Sequence, residues 1–318
     1  LSQKIIIDTD PGIGDAVALA VALADPNLDV LGLTATAGVV SGDDASRNVQ
    51  AIVERLDPPK WPRLGSSSEE WPVSPLASDG ETGLVACLNG VQGLGDYEFE
   101  IADLHHRRAS AKLMIDIVRA NPHAVTLLTL GPLTNVEIAM ERAPDFLDLL
   151  KGMVCLGGSV AAGGDVTAAA EFNIYANPQA ARNVLRSPAT KTLVPLDISN
   201  RLVLTYDQFA RMSAGGESPA CCLLTELLPF SFRAHHQHLG LEGVPLREIM
   251  ALASISQPRL FEPSSMAIDV ETNGELTCGM TVFDRRGTQR WKENIEVLLD
   301  VDIHGVMDYF RRIIRGSR

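Results

Sequence analysis

Four short strand-like runs, each followed by a longer segment of helical character, restrict this 318-residue chain to a small set of folds. Ile5–Ile7 precedes Ala16–Ala24, Asp29–Thr34 precedes Asp44–Leu56, Thr126–Leu130 precedes Asn135–Arg142, and Met153–Leu156 precedes, after a loop, Pro178–Leu185. The first run is β-branched with no polar alternation, as a parallel strand covered on both faces requires. Such alternation implies an α/β fold: a single large domain over residues 1–318 with a mainly parallel central sheet and helices on both faces. Ligands of these sheets bind outside the carboxyl ends of the strands, so a site is expected in the loops that follow them. Asp57–Gly80, rich in Pro, Ser and Gly, reads as a surface excursion rather than a linker. The later half is more helical, with a long stretch around Cys221–Leu239 and a last helix over His304–Arg315, whose terminal arginines oppose the helix dipole.

The strongest chemical signal follows the first strand. Asp8-Thr9-Asp10-Pro11-Gly12-Ile13-Gly14-Asp15 sets three carboxylates at its carboxyl end. Strand alternation points Asp8 and Asp10 to one side, and Pro11-Gly12 turns the chain so that Asp15 opens the next helix. Clustered carboxylates raise one another's pKa unless a cation neutralises them, and a hard divalent ion with oxygen ligands, Ca²⁺ or Mg²⁺, suits such a cluster. A single such Asp more often caps a helix or braces a loop; three together favour a metal, with Asp8 either a ligand or an orienting neighbour. Gly12-Ile13-Gly14 lacks the third small residue of a dinucleotide loop, since Ala18 comes one position too late.

A formal net charge of −13 argues against a nucleic-acid or anionic-membrane partner and leaves a small soluble ligand. No apolar stretch reaches the roughly 18 residues of a membrane span, and the N-terminus has no signal-peptide pattern, so a cytoplasmic location is expected. Five cysteines without C-x-x-C spacing read as buried thiols in a reducing compartment.

The Asp8–Ala16 segment resembles the D-T-D-P-G-x-D-D-A opening of the nucleoside hydrolases, with one departure. Three further segments are similar to that family's motifs, in its order: Leu130-Gly131-Pro132-Leu133-Thr134-Asn135; Leu156-Gly157-Gly158 through Glu171-Phe172-Asn173-Ile174; and Gly274-Glu275-Leu276-Thr277 through Gly279-Met280-Thr281-Val282. The resemblance implies a Ca²⁺-dependent N-ribohydrolase with a nucleoside-like substrate, a place in purine or pyrimidine salvage, and a homodimeric or homotetrameric assembly. It implies that Asp10, Asp15 and Glu248 ligate Ca²⁺ together with the Leu130 carbonyl oxygen, and that Asp10 is also the general base. Glu171 and Asn173 would hold ribose hydroxyls with Phe172 packed between them, and Asp165, Asn89 and His235 would complete the substrate contacts.

The chain departs from the family where substrate contacts are made. Gly14 stands for a second Asp, Val39 for a common Asn, Asn89 for a frequent His, and Asp165 for an Asn at the sugar 5′ end, where it should repel a phosphate. Leu246-Arg247-Glu248 stands for Leu-His-Asp: Glu248 still offers a carboxylate, but Arg247 stays protonated and cannot donate a proton to a leaving base. Three readings follow: an N-riboside hydrolase of altered specificity, a ligand-binding protein that has lost turnover, and a phosphohydrolase built on Asp8 and Asp10. The last wants a downstream Lys and a later acidic pair that the sequence does not supply.

Overall fold

The isoleucine run near the start of the chain lies at the centre of the molecule, with Ile5, Ile6 and Ile7 wholly buried. The computed structural model describes residues 2–67, 83–97, 108–286, 288 and 291–316. In chain order the described strands are β1 (Gln3–Thr9), β2 (Leu28–Ala35), β3 (Arg63–Gly65), β4 (Val125–Thr129), β5 (Gly152–Leu156), β6 (Lys191–Val194), β7 (Val203–Thr205), β8 (Gly243–Pro245), β9 (Phe261–Met266), β10 (Ile268–Val270), β11 (Thr281–Phe283) and β12 (Ile295–Val301). Eight form one sheet in the order β3-β2-β1-β4-β5-β6-β12-β9, parallel except for the β12–β9 edge pair. The fold is the expected single-domain α/β architecture with a mostly parallel central sheet.

Alternation along β1 sends Ile5 and Ile7 to one layer and Ile6 to the other. The first layer holds the helices Ile13–Ala24, Gly42–Leu56, Pro219–Leu239, Arg247–Ser256 and Ile303–Ile314; the second holds Ser110–Ala120, Thr134–Arg142 and Pro178–Arg186. Burial on both faces explains why β1 and β4 carry no polar alternation. The chain leaves β1 toward β2 on one side and later returns to β4 on the other, so the crevice between the carboxyl ends of β1 and β4 is a switch point of the sheet.

The Asp57–Gly80 excursion contains the short edge strand β3, and its residues 68–80 lie outside the described part. None of the five cysteines forms a disulfide, and only Cys155 and Cys221 are buried; Cys87, Cys222 and Cys278 are half-buried, being on helix faces or loops partly open to solvent. Among the described residues no helix is long and apolar enough to cross a membrane.

Candidate active site

Asp8 ends β1 in register with Thr34 of β2 and Thr129 of β4, a polar row at the carboxyl edge of an otherwise apolar sheet. Its Oδ1 accepts from Thr34 Oγ1 at 2.7 Å and from Asn135 Nδ2 at 2.9 Å, while its buried Oδ2 has no donor among the described residues. Burial, only partly offset by those two bonds, pushes this carboxyl up to about 7. Asn135 also donates to Ala35 O at 2.8 Å, so one amide braces the ends of both β1 and β2.

Asp10 and Asp15 stand next to it. Asp10 Oδ2 accepts the Val39 N–H at 2.7 Å, and its carboxylate lies against Gly38 and Gly131, where any Cβ would collide with it. Asp15 accepts from Thr9 Oγ1 at 2.6 Å and from the Gly12 N–H at 3.2 Å, thereby capping the Ile13–Ala24 helix. Burial raises both carboxyl groups, and Asp15 raises Asp10 further. Glu248, in the first turn of Arg247–Ser256, faces them from the opposite side; burial and then Asp15 push it up to about 7, against the pull of Arg247. It lies over Gly14, where a Cβ would stand 2.5 Å from its carboxyl carbon.

The segment after β5 supplies the other wall. Glu171 caps the short Phe172–Ala176 helix, its Oε2 accepting from the N–H groups of Gly158 at 2.9 Å and Ile174 at 3.1 Å. Burial and then the charge of Asp165 push Glu171 up to about 7. Asn173 spends both amide hydrogens on carbonyl oxygens, Leu130 at 2.7 Å and Leu156 at 3.1 Å, which leaves its Oδ1 as an acceptor. Phe172 is buried between them, and its N–H donates to Asp165 Oδ1 at 2.9 Å. The other Asp165 oxygen pairs with Arg247 Nη1, so Asp165 is not the lone negative charge on which the expected repulsion of a phosphate rested.

Two sequence candidates sit at the margin. Asn89 accepts from the Ile13 N–H at 2.9 Å and donates to Val85 O of its own helix at 3.1 Å, so its amide ties that helix to the turn after β1. His235 is half-buried with Nδ1 against Ser231 O at 2.8 Å; burial chiefly, and Arg247 as well, lower its pKa. His236 and His238 are exposed, and His236 faces Glu242. Sequence reading missed Thr9, Thr34 and Asn135, although Thr9 and Asn135 lie inside the quoted motifs. It also missed Asn48, whose amide holds the turn through Pro11 O at 3.1 Å and Gln92 O at 2.7 Å.

Among the described residues no three acidic, histidine or cysteine side chains form a closed cation cage. The donor set nevertheless fits a hard cation: Asp15 raises both Asp10 and Glu248, one oxygen of Asp8 has no donor among the described residues, and the Leu130 carbonyl lies at the same strand ends.

Comparison with known proteins places the whole chain. The sequence profile of the inosine-uridine preferring nucleoside hydrolases matches residues 5–308. Uridine nucleosidase 1 of Arabidopsis thaliana is 34% identical over 97% of this chain and 92% of its own length. The pyrimidine-specific ribonucleoside hydrolase RihA of Salmonella newport is 33% identical over 97% of each chain. Among solved structures, the plant nucleoside hydrolase PpNRh1 superposes with a TM-score of 0.87 at 25% identity, covering 99% of both chains. A purine-preferring ribonucleoside hydrolase from Gardnerella vaginalis superposes at 0.86 and 26% identity, covering 99% of this chain and 98% of its own. With its fold and nearly its whole length matched by these enzymes, the chain belongs to the inosine-uridine preferring nucleoside hydrolase family and is a hydrolase of N-glycosyl compounds.

Proposed function

We propose that the chain hydrolyses the N-glycosidic bond of a ribonucleoside, with Asp10 as general base and a calcium ion held by Asp10, Asp15, Glu248 and the Leu130 carbonyl. The observation that carries this reading is the meeting, at the ends of β1 and β4, of Asp10 and Asp15 with Asn173, whose amide hydrogens are already spent. Calcium, when bound, supplies the positive charge that keeps these carboxylates ionised and polarises a water molecule. Asp10 takes a proton from the attacking water as its oxygen approaches C1′. Glu171 Oε1 and Asn173 Oδ1 accept from two ribose hydroxyls and fix the ring. The sugar gains oxocarbenium character as the bond breaks, and the surrounding carboxylates favour that charge.

Asp8 is bonded to Thr34 and Asn135, a setting that suits a brace more than an aspartyl nucleophile. The names of the relatives support uridine as a first substrate. The family supports a homo-oligomer, and the net charge of −13 supports a soluble small molecule over a nucleic acid or an anionic membrane surface. A cytoplasmic place in pyrimidine or purine salvage completes the reading.

The test is a reducing-sugar assay over purine, pyrimidine and modified ribonucleosides, with calcium and after chelation. Calcium-dependent release of ribose is expected. No release from any riboside by protein that binds calcium would favour a ligand-binding role instead.

A further inference from the structure

The carboxyl groups of this site serve only one half of the reaction. Asp8, Asp10, Asp15 and Glu171, buried, and Glu248, half-buried, gather around the carboxyl ends of β1, β4 and β5, where they favour the half that becomes cationic. The departing base takes the electron pair of the C1′–N bond and becomes anionic, and carboxylates oppose that charge.

Arg247 is the cation that acts on this cluster. It begins the helix that carries Glu248, lowers the Glu248 carboxyl and disfavours a charge on His235, so it stands between the acids and the His235 helix. Its side chain is 30% exposed and its Nη1 is bonded to Asp165 Oδ2. Asp165 Oδ1 holds the Phe172 N–H at 2.9 Å, between the two residues proposed to hold ribose, so the guanidinium is fixed relative to the sugar wall. Among the described residues Nε and Nη2 have no protein acceptor, and they remain as donors for a ligand. The titratable alternative on the neighbouring helix is a weak one: His235 Nδ1 is engaged with Ser231, and burial, with Arg247 as well, disfavours the protonated ring.

Resting on the riboside reading above, we propose that Arg247, positioned by Asp165, is the leaving-group residue and receives the base as an anion instead of protonating it. Water oxygen bonds to C1′, the C1′–N bond breaks with its pair on the base, one water proton passes to Asp10, and the base anion later takes a proton from solvent. Fixed N–H donors and a permanent charge reward bases that carry carbonyl oxygens and delocalise the negative charge.

The test compares kcat/KM for uridine, whose base needs help to leave, and 4-nitrophenyl riboside, whose phenolate needs little. Arg247→Ala is expected to lose about a hundredfold on uridine and tenfold or less on the nitrophenyl riboside, with Arg247→Lys recovering part of the difference. Arg247→Gln, which keeps volume and donors without charge, replaces the alanine variant if that variant does not fold. Equal losses on both substrates would overturn the proposal and reduce Arg247 to a strap between helix and loop. Failure of the wild-type protein on both substrates would instead strike at the riboside reading itself.

Discussion

The carboxylate of Glu248 occupies the space in which a side chain on Gly14 would begin: a Cβ there would stand 2.5 Å from its carboxyl carbon and 2.7 Å from Oε1. Two departures that read singly as a lost acid and a lengthened acid therefore share one volume. Asp165 and Arg247 form a second such pair, an added negative charge met by an added positive one.

Gly14→Ala should test the first pair. Overpacking against Glu248 is expected to cost about 1–3 kcal/mol, set against roughly 1 kcal/mol gained by removing a helical glycine. In a Glu248→Asp background the cost should fall by at least about 1 kcal/mol. Urea unfolding of the four proteins without calcium measures the coupling, and additive effects would argue that the two positions do not share space.

Glu171 should give activity a pH dependence. Its pKa rises from the ordinary 4.5 to about 7, chiefly through burial and then through Asp165. Below that value it is protonated in the folded protein and is a poorer acceptor for a ribose hydroxyl. KM should therefore fall as pH rises through about 7, and in Glu171→Gln it should be higher and flat across that range. The linked stability runs the other way: the raised folded pKa favours the protein fully below the unfolded value of 4.5, and this benefit is lost as pH climbs through about 7. Melting curves in chelator from pH 5 to 8 should show this decline, and a smaller one in Glu171→Gln.

Asn135→Ala removes the bonds to Asp8 Oδ1 and Ala35 O from a buried site. A loss of about 1–3 kcal/mol is expected, because Asp8 then keeps Thr34 alone and Ala35 loses this side-chain donor. Asn135→Asp should cost more, since it sets a second acid beside a buried carboxyl. Denaturant unfolding checks the order, and an alanine variant as stable as the parent would contradict the bracing role.

The strand and helix order was legible because the signals are local. Ile5–Ile7 can only be a strand buried on both faces, and the Asp10-Pro11-Gly12 turn announces where it ends. Edge elements were not: β3 is three residues long inside a Pro- and Ser-rich stretch, and β9 alternates polar and half-buried residues as an antiparallel edge does. In the site, the carboxylates of the first loop were readable from their crowding alone. The pairings of Gly14 with Glu248 and of Asp165 with Arg247 join residues far apart in the chain, and no local pattern encodes them. Asn89 shows the converse, since a residue type suited to binding a base uses both ends of its amide on the Ile13 N–H and the Val85 carbonyl.

The central claim is that Asp10, in a calcium-dependent cluster at the end of β1, takes the proton of the attacking water. The most direct measurement is ribose release from uridine by the wild-type protein and Asp10→Asn, each with calcium and with chelator, alongside melting curves of the same samples. Asp10→Asn should lose at least about a thousandfold in kcat while staying folded, and chelation should abolish wild-type turnover. An Asp10→Asn variant that keeps the wild-type rate, or a wild-type rate indifferent to chelation, would contradict the account.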